Sequence, residues 1–167
     1  MNALFACVAL AVASFEPPPG VRAALAEPEL SGACRLSFLW IEGYDAYLWR
    51  EADAGADLYA APFALRLEYL RDFSTEQLAT ATLRELSRQQ GFVEEEGMYD
   101  RFAQLWPAVA AGDAITAVWR PENGVVFRHN GEPYSELADP GLGRRVLDIW
   151  LGEETSVPQL RDVLVGE

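Results

Sequence analysis

The stretch FALRLEYLRDFSTEQLATATLREL, residues 63–86, changes its hydrophobic period halfway along. Up to Leu70 apolar and polar residues alternate with period two, which is typical of a strand with one side in water. From Ser74 onward the apolar residues recur at helical spacing, and Ser74 with Gln77 forms the pattern of a capping box at a helix start. The stretch therefore predicts a strand that runs directly into a helix.

Further strands and helices are predicted in separate runs around this junction. Residues 34–40 and 44–49 show the pattern of two strands joined by a tight turn at residues 41–43, and residues 113–137 that of three short strands with PENG and NG turns. The later helices are predicted at residues 98–106, 141–152 and 156–166. Runs of strands and runs of helices without regular alternation indicate an α+β fold, in which helices cover one face of an antiparallel sheet.

The charge of the chain limits its partners. There are 26 acidic residues against 13 basic ones, all arginine, and the net charge is -13. Binding to a phosphate backbone requires clustered positive charge, and the only adjacent basic pair is Arg144-Arg145, so no nucleic acid partner is predicted. An acidic surface is also repelled by anionic membranes. With 167 residues the chain has the length of one domain.

The first residues carry the pattern of an export signal. An apolar run at residues 3–13 is too short to span a bilayer but suits a signal-peptide core, and its last three residues before Ser14 form a cleavage pattern. The predicted divisions are a signal peptide, a linker and one folded domain, at residues 1–13, 14–29 and 30–167. This division predicts a periplasmic or secreted protein with no transmembrane segment in the mature chain, or a cytoplasmic protein if the N-terminus is not a signal.

The expected bonding state of the two cysteines follows from this division. Cleavage of the leader removes Cys7 and leaves Cys34 without a partner, so no internal disulfide is expected. Cys34 is expected to pack as a small apolar residue on a strand.

Known motifs for catalysis and for metal or nucleotide binding are missing from the sequence. His129, beside a turn, is the single histidine, and metal sites need several converging ligands. A nucleophile–histidine triad has little support for the same reason. No glycine-rich nucleotide motif or nucleophile elbow is present. We therefore predict no metal, no cofactor and no catalytic residue, while the five tryptophans provide flat apolar surface for a core or a ligand cavity.

Several segments together nevertheless resemble one family. In this order and spacing they are similar to the bacterial chalcone isomerase-like family, whose relatives are plant chalcone isomerases and fatty-acid-binding proteins of the same fold. The resemblance implies an open-faced β-sandwich, a large antiparallel sheet with a layer of helices on one face and a ligand cleft between them. The segments are GACR (32–35), GYDAYLW (43–49), FALRLEYLRDFSTEQLA (63–79), LWPAVAAGDAIT (105–116), NGEPYSEL (130–137) and VLDIWLGEETSVPQLRDVLVG (146–166).

The resemblance also implies positions for the residues around the cleft. Chalcone isomerases place an arginine and a threonine on early strands and a tyrosine and an asparagine on the first helix. These positions fall on Arg35, Tyr44, Leu78 and Glu85. A leucine offers no hydrogen bond and a carboxylate repels an oxyanion, so the isomerase set is largely missing.

The pair of Arg35 and Tyr44 resembles instead the pair with which the fatty-acid-binding relatives hold a carboxylate. A guanidinium and a phenol hydroxyl can both donate to one carboxylate. The alternatives for these residues are an arginine in water or in an ion pair, and a core tyrosine with its hydroxyl at the rim.

The leading hypothesis is a non-catalytic protein that binds a fatty acid or a similar small amphipathic carboxylate, with Arg35, Tyr44, Leu78 and Glu85 at the ligand. One alternative is an isomerase, an intramolecular lyase of the chalcone isomerase type. Another is an interaction or scaffold module whose cleft is closed and binds no ligand.

Overall fold

A computed structural model of the chain describes residues 5–11 and 15–166. Within them, seven strands form one antiparallel sheet and lie side by side in the order of the sequence. The strands are β1 Phe5–Ala9, β2 Pro28–Phe38, β3 Ile41–Glu51, β4 Phe63–Tyr69, β5 Ala114–Arg120, β6 Gly124–His129 and β7 Glu132–Leu137. The helices are α1 Pro19–Arg22, α2 Thr75–Leu86, α3 Met98–Leu105, α4 Pro140–Leu151 and α5 Pro158–Val165, and a short 3-10 turn spans Leu58–Ala60.

The junction between β4 and α2 has the structure that the change of period predicts. The apolar residues of β4 are buried, whereas Arg66 and Glu68 between them are only partly covered. Ser74 caps α2: its hydroxyl accepts from the Gln77 backbone N–H at 3.1 Å, and the Gln77 side chain accepts from the Ser74 N–H at 2.8 Å. Both halves of the capping box therefore fix the point where the strand turns into the helix.

Helices α2 to α5 cover one face of the sheet, called here the inner face. Their apolar residues and those of the inner face form one core cluster. Fully buried large side chains of this cluster include Phe63, Leu65, Phe102, Phe127, Leu147 and Leu160. The predicted α+β architecture, an antiparallel sheet with a helix layer on one face, is confirmed.

The opposite, outer face is partly covered by the segment predicted as a linker. Val21 of α1 and Leu25 are buried and pack on Tyr47, Trp49 and Val118. These strand positions are apolar on the outer face, and burying them against residues 15–27 removes that surface from water. Val21 and Leu25, within the segment predicted as a linker, are therefore packed against the sheet.

The segment predicted as a signal peptide contributes the edge strand β1, which pairs with β2. Cys7 of β1 and Cys34 of β2 form a disulfide with a Cα–Cα distance of 5.8 Å, within the usual range. The expectation of an unpaired Cys34 applies to a chain from which Cys7 has been removed, whereas in the chain that keeps β1 the two cysteines are bonded. Residues 12–14, with part of the predicted cleavage pattern, lie outside the described residues, so cleavage and export stay predictions. No helix in the described ranges is both long enough and apolar enough to cross a membrane.

The turn between β2 and β3 lies nearer the N-terminus than the sequence predicts. It consists of Leu39 and Trp40, whereas residues 41–43 belong to β3. The turn pairs Phe38 with Ile41 and Ser37 with Glu42, and a bulge between Leu36 and Ser37 then shifts the register by one residue. As a result Arg35 lies opposite Asp45, and Leu36 opposite Tyr44. Because successive side chains of a strand point to opposite faces, this register decides which residues meet the helix layer.

Candidate functional site

Two tyrosines lie opposite each other on neighbouring strands of the inner face. Tyr44 of β3 is paired with Tyr69 of β4, and their rings meet edge to face with centroids 5.9 Å apart. Burial raises the pKa of both phenols, and the neighbouring Tyr44 raises that of Tyr69 further. Both hydroxyls therefore stay protonated at neutral pH and can donate hydrogen bonds. We call these two residues the tyrosine pair.

The hydroxyl of Tyr44 already has a donor from the helix layer. Trp150 of α4 donates its indole N–H to the Tyr44 oxygen at 2.9 Å. This bond uses one lone pair of the phenol and leaves its proton for another acceptor. Within the described part of the chain, the Tyr69 hydroxyl has no hydrogen-bond partner, since its contacts are with the rings of Tyr44 and Phe73. The tyrosine pair thus presents two donors without acceptors.

Helix α2 brings Leu78 and Glu85 to the same region. Leu78 packs against the core cluster, and the negative charge of Glu85 adds to the effect of burial in raising the pKa of Tyr44. Glu85 itself is 16% exposed and makes ion pairs with Arg84 at 3.6 Å and Arg88 at 3.8 Å. The structure therefore places three of the four predicted residues, Tyr44, Leu78 and Glu85, on the helix side of the sheet.

Thr82, between these two positions of α2, anchors the helix to the segment after α3. Its hydroxyl accepts the indole N–H of Trp106 at 2.9 Å and donates to the Leu78 carbonyl at 2.8 Å. Both Thr82 and Trp106 are buried. A satisfied buried hydrogen bond of this kind fixes the position of α2 above the sheet.

Arg35 lies on the outer face, away from Tyr44. Its guanidinium donates two hydrogen bonds to Asp45, from Nε to Oδ1 at 2.7 Å and from Nη2 to Oδ2 at 3.0 Å. It also donates to Glu42 at 3.3 Å. The hydrogen bonds and negative charge of Asp45 raise the pKa of Arg35. The carboxylate-holding pair of Arg35 and Tyr44 predicted from the sequence is therefore not assembled, because the register sends the two side chains to opposite faces.

Two residues of the site were not predicted from the sequence. Tyr69 was assigned to the buried side of β4, and a tyrosine at such a position is a signal in itself because its hydroxyl needs a partner. Trp150 is one of the five tryptophans for which the sequence leaves a core and a ligand cavity open, and its bond to Tyr44 joins residues far apart in the sequence. No local sequence pattern predicts that contact.

A second feature is a solvent-facing groove of about 570 Å³ between the 3-10 turn, α4 and α5. Here the Tyr59 hydroxyl donates to Asp148 at 2.6 Å, and the Arg144 guanidinium lies 4.3 Å from the centre of the Tyr59 ring. Burial raises the pKa of Asp148, although the Tyr59 hydrogen bond and the nearby arginines work against this. The lining of the groove has three basic and four acidic side chains, so it carries no excess of positive charge: Arg144, Arg145 and Arg161 against Asp57, Asp148, Glu153 and Glu154.

Metal binding finds no support in the residues that the structure describes. They contain no group of three or more histidine, cysteine or acidic side chains arranged to hold an ion.

The comparison with protein families identifies the class. The model of the chalcone isomerase-like family matches residues 9–166, and the chain belongs to that family. The match begins ahead of residue 30 and so includes the segment packed on the outer face. Among solved structures, a fatty-acid binding protein of Arabidopsis thaliana is similar over 96% of each chain, with a TM-score of 0.68 and 16% sequence identity. At that identity the likeness shows the shared fold. No curated protein sequence matches the chain.

Proposed function

We propose that this protein binds a small amphipathic molecule, a fatty acid or a similar long-chain carbonyl compound, between α2, α4 and strands β3 and β4, without catalysing a reaction. The observation that carries the proposal is the tyrosine pair: the buried Tyr69 and the half-buried Tyr44 have hydroxyl protons to donate and no acceptor among the described residues. The family and the Arabidopsis fatty-acid binding protein of the same fold support the class of ligand.

The polar end of the ligand is expected at the tyrosine pair. A carbonyl oxygen has two lone pairs and can accept from both phenols. The charge of Glu85, which raises the pKa of Tyr44, opposes a carboxylate at the same place. The site therefore favours a neutral head group, either a protonated fatty acid or an ester, and Arg35 on the outer face has no part in it.

The apolar end of the ligand sets the affinity. About ten methylenes at ~0.8 kcal/mol each contribute roughly 8 kcal/mol, against ~1 kcal/mol for each neutral hydrogen bond, before the cost of ordering the chain. In the structure Leu78 and Phe73 pack against a filled core. Binding therefore requires α2 and α4 to move apart and the ligand to replace contacts between side chains.

The residues at the isomerase positions support a binding role over a catalytic one. Leu78 and Glu85 stand where the resemblance expects a tyrosine and an asparagine. A leucine cannot transfer a proton, and a carboxylate does not stabilise a developing oxyanion. Arg35, which would polarise a ketone, is held by Asp45 on the other face.

A titration with a fluorescent palmitate analogue tests the proposal. We expect saturable binding, and about a fivefold to tenfold weaker affinity for Tyr44→Phe and for Tyr69→Phe, since each loses one neutral hydrogen bond. Arg35→Gln serves as the matched control on the outer face and should bind like wild type. Glu85→Gln should bind more tightly if the head group carries negative charge. Absence of binding, or equal affinity for all variants, would refute the proposal.

A closed interaction module is the second candidate, and the packed cleft favours it. Tyr44, Leu78 and Glu85 do not line the groove beside α4 and α5. Native mass spectrometry of the purified protein separates the two candidates. A ligand retained in the spectrum supports the binding protein, whereas a folded protein that takes up no fatty acid or ester supports the module.

For the location we propose the periplasm or the exterior of the cell, on the basis of the apolar run and the cleavage pattern at the N-terminus. The alternative location, for an N-terminus that is not a signal, is the cytoplasm. The N-terminal sequence of the protein purified from its cells decides between the two.

A further inference from the structure

The hairpin between β2 and β3 ends in four large apolar residues that face solvent, called here the apolar tip. Phe38 is 43% exposed, Leu39 48%, Trp40 91% and Ile41 52%. The ring of Phe38 also contacts the ring of Phe5 on the edge strand, with centroids 5.0 Å apart and planes tilted by 45°. The tip therefore concentrates apolar surface at one projecting end of the sheet, whereas single exposed apolar residues elsewhere are ordinary.

The backbone of the tip disfavours the residues that occupy it. Leu39 has φ 47° and Trp40 has φ 70°, both in the left-handed region. Two-residue hairpin turns with positive φ at both positions are normally made by asparagine and glycine, because larger side chains are unfavourable there. Among the described residues Leu39 is only about half covered and Trp40 almost uncovered, so local folding does not account for these two residues in a turn that they disfavour.

The charge pattern indicates what the tip contacts. Residues 37–41 carry no charge, and the nearest acidic residue, Glu42, is bonded to Arg35 at 3.3 Å. The chain as a whole has a net charge of -13 and no lysine, so an anionic membrane would repel it. A projecting apolar hairpin fits a partner whose surface can deform around it, as a lipid layer can. Tryptophan also favours the boundary between lipid head groups and acyl chains.

From these observations we propose that the apolar tip inserts into the surface of an uncharged, zwitterionic lipid layer. Tyr44 follows Ile41 by three residues on β3, which places the tyrosine pair about 10 Å from the tip. A molecule that leaves the lipid layer at the tip reaches the proposed cleft over that short distance. Delivery of a ligand from the lipid layer to the cleft rests on the proposed function. Insertion of the tip into the lipid layer does not.

Flotation with phosphatidylcholine vesicles tests the inference. The double variant Leu39→Asn/Trp40→Gly supplies the residues that this turn prefers, so it should fold at least as well as wild type while it removes the apolar surface. We expect the wild type to float with the vesicles. The affinity of the double variant for the vesicles should be lower by roughly tenfold or by a larger factor. Vesicles with phosphatidylglycerol mixed in should bind the wild type more weakly than phosphatidylcholine alone.

The control is Val93→Ser, which removes another exposed apolar side chain, 74% exposed, away from the tip. It should bind vesicles like wild type. The inference is overturned if wild type does not float, if the double variant floats equally well, or if gel filtration shows that the tip mediates self-association instead.

The outcomes also separate docking from ligand binding. The double variant should bind the fluorescent palmitate analogue in solution with unchanged affinity. It should lose only the ability to take up the analogue from vesicles. Vesicle binding without any ligand binding would refute the proposed function and support the docking. Ligand binding without vesicle binding would do the reverse.

Discussion

Trp150 of α4 donates its indole N–H to the hydroxyl oxygen of Tyr44 on β3, across the interface between the helix layer and the sheet, at 2.9 Å. The bond has two consequences. It holds the end of α4 against the strand, and it orients the phenol so that its proton is left for a ligand.

Removal of the Tyr44 hydroxyl should cost stability. In Tyr44→Phe the Trp150 N–H loses its acceptor in a half-buried place, so the free energy of unfolding should fall by about 1–2 kcal/mol. Urea unfolding measures the difference. Tyr134→Phe is the matched control, because Tyr134 is 48% exposed and should change stability little. Equal effects of the two variants would show that the bond to Trp150 contributes nothing.

The tyrosine pair should make the protein less stable at alkaline pH. Burial raises the pKa of Tyr44 and Tyr69 above the ordinary value of 10.0. As the pH rises through this value the unfolded chain loses protons that the folded chain keeps. Each phenol then lowers the free energy of unfolding by up to about 1.4 kcal/mol per pH unit. The contribution is fully present below pH ~10.

Denaturant unfolding across this alkaline range measures the dependence. In Tyr44→Phe and in Tyr69→Phe the decline in stability should be shallower than in wild type. An unchanged slope in both variants would mean that these phenols ionise equally in the folded and unfolded chains.

Arg35 should matter for stability and leave ligand affinity unchanged. In Arg35→Ala the carboxylate of Asp45, which is 6% exposed, loses its bidentate partner. Because Arg35 itself is 35% exposed, water screens part of this loss, and we expect a cost of about 1–3 kcal/mol. Thermal unfolding measures it, and Arg35→Ala/Asp45→Ala should recover part of the stability. A weaker ligand affinity with unchanged stability would contradict the prediction and show that Arg35 contributes to ligand binding.

The state of Cys7 should report whether the leader is kept. If residues 1–13 are retained, Cys7→Ala should lower the free energy of unfolding by about 3 kcal/mol, since the disulfide closes a loop with a sequence separation of 27. If they are removed, the mature protein is identical with and without the substitution, and Cys34 reacts with a thiol reagent. Intact mass with and without alkylation measures both. A retained leader with two reactive thiols would contradict the disulfide.

The contact of α5 with β2 should tolerate no side chain at Gly32. A Cβ there would lie 2.8 Å from the Leu164 Cα and would overlap the Val163 carbonyl oxygen, so the helix backbone must shift. We expect Gly32→Ala to cost about 2 kcal/mol or more. Gly55→Ala is the control, since nothing lies within 4 Å of its added carbon. Equal stability of both variants would show that α5 is free to move outward.

The local patterns predicted most of the elements, because each depends on a few neighbouring residues. The period of two in β4, the capping box at Ser74 and the glycine turns of β5 to β7 all act within short segments. The turn between β2 and β3 did not follow such a pattern, since Leu39 and Trp40 occupy positions where turn residues were expected. A bulge between Leu36 and Ser37 then sets the register that pairs Arg35 with Asp45 and not with Tyr44.

The site was predictable only in part for the same reason. The face of α2 that carries Leu78 and Glu85 follows from helical spacing, and its approach to Tyr44 follows from the fold. The bond of Trp150 to Tyr44 and the capture of Arg35 by Asp45 depend on packing and on register, which no short segment specifies. The packing of Val21 and Leu25 on the outer face likewise depends on apolar residues of distant strands.

The order of the strands gives the chain an expendable edge. In the part of the chain that the structure describes, each strand bonds only to its neighbours in the sequence, and β1 has the single neighbour β2. Loss of β1 would remove one ladder of hydrogen bonds and leave the other six strands joined, whereas loss of any interior strand would divide the sheet. The topology therefore allows two mature forms of one protein, with and without its first strand, that share the same helix layer and the same tyrosine pair.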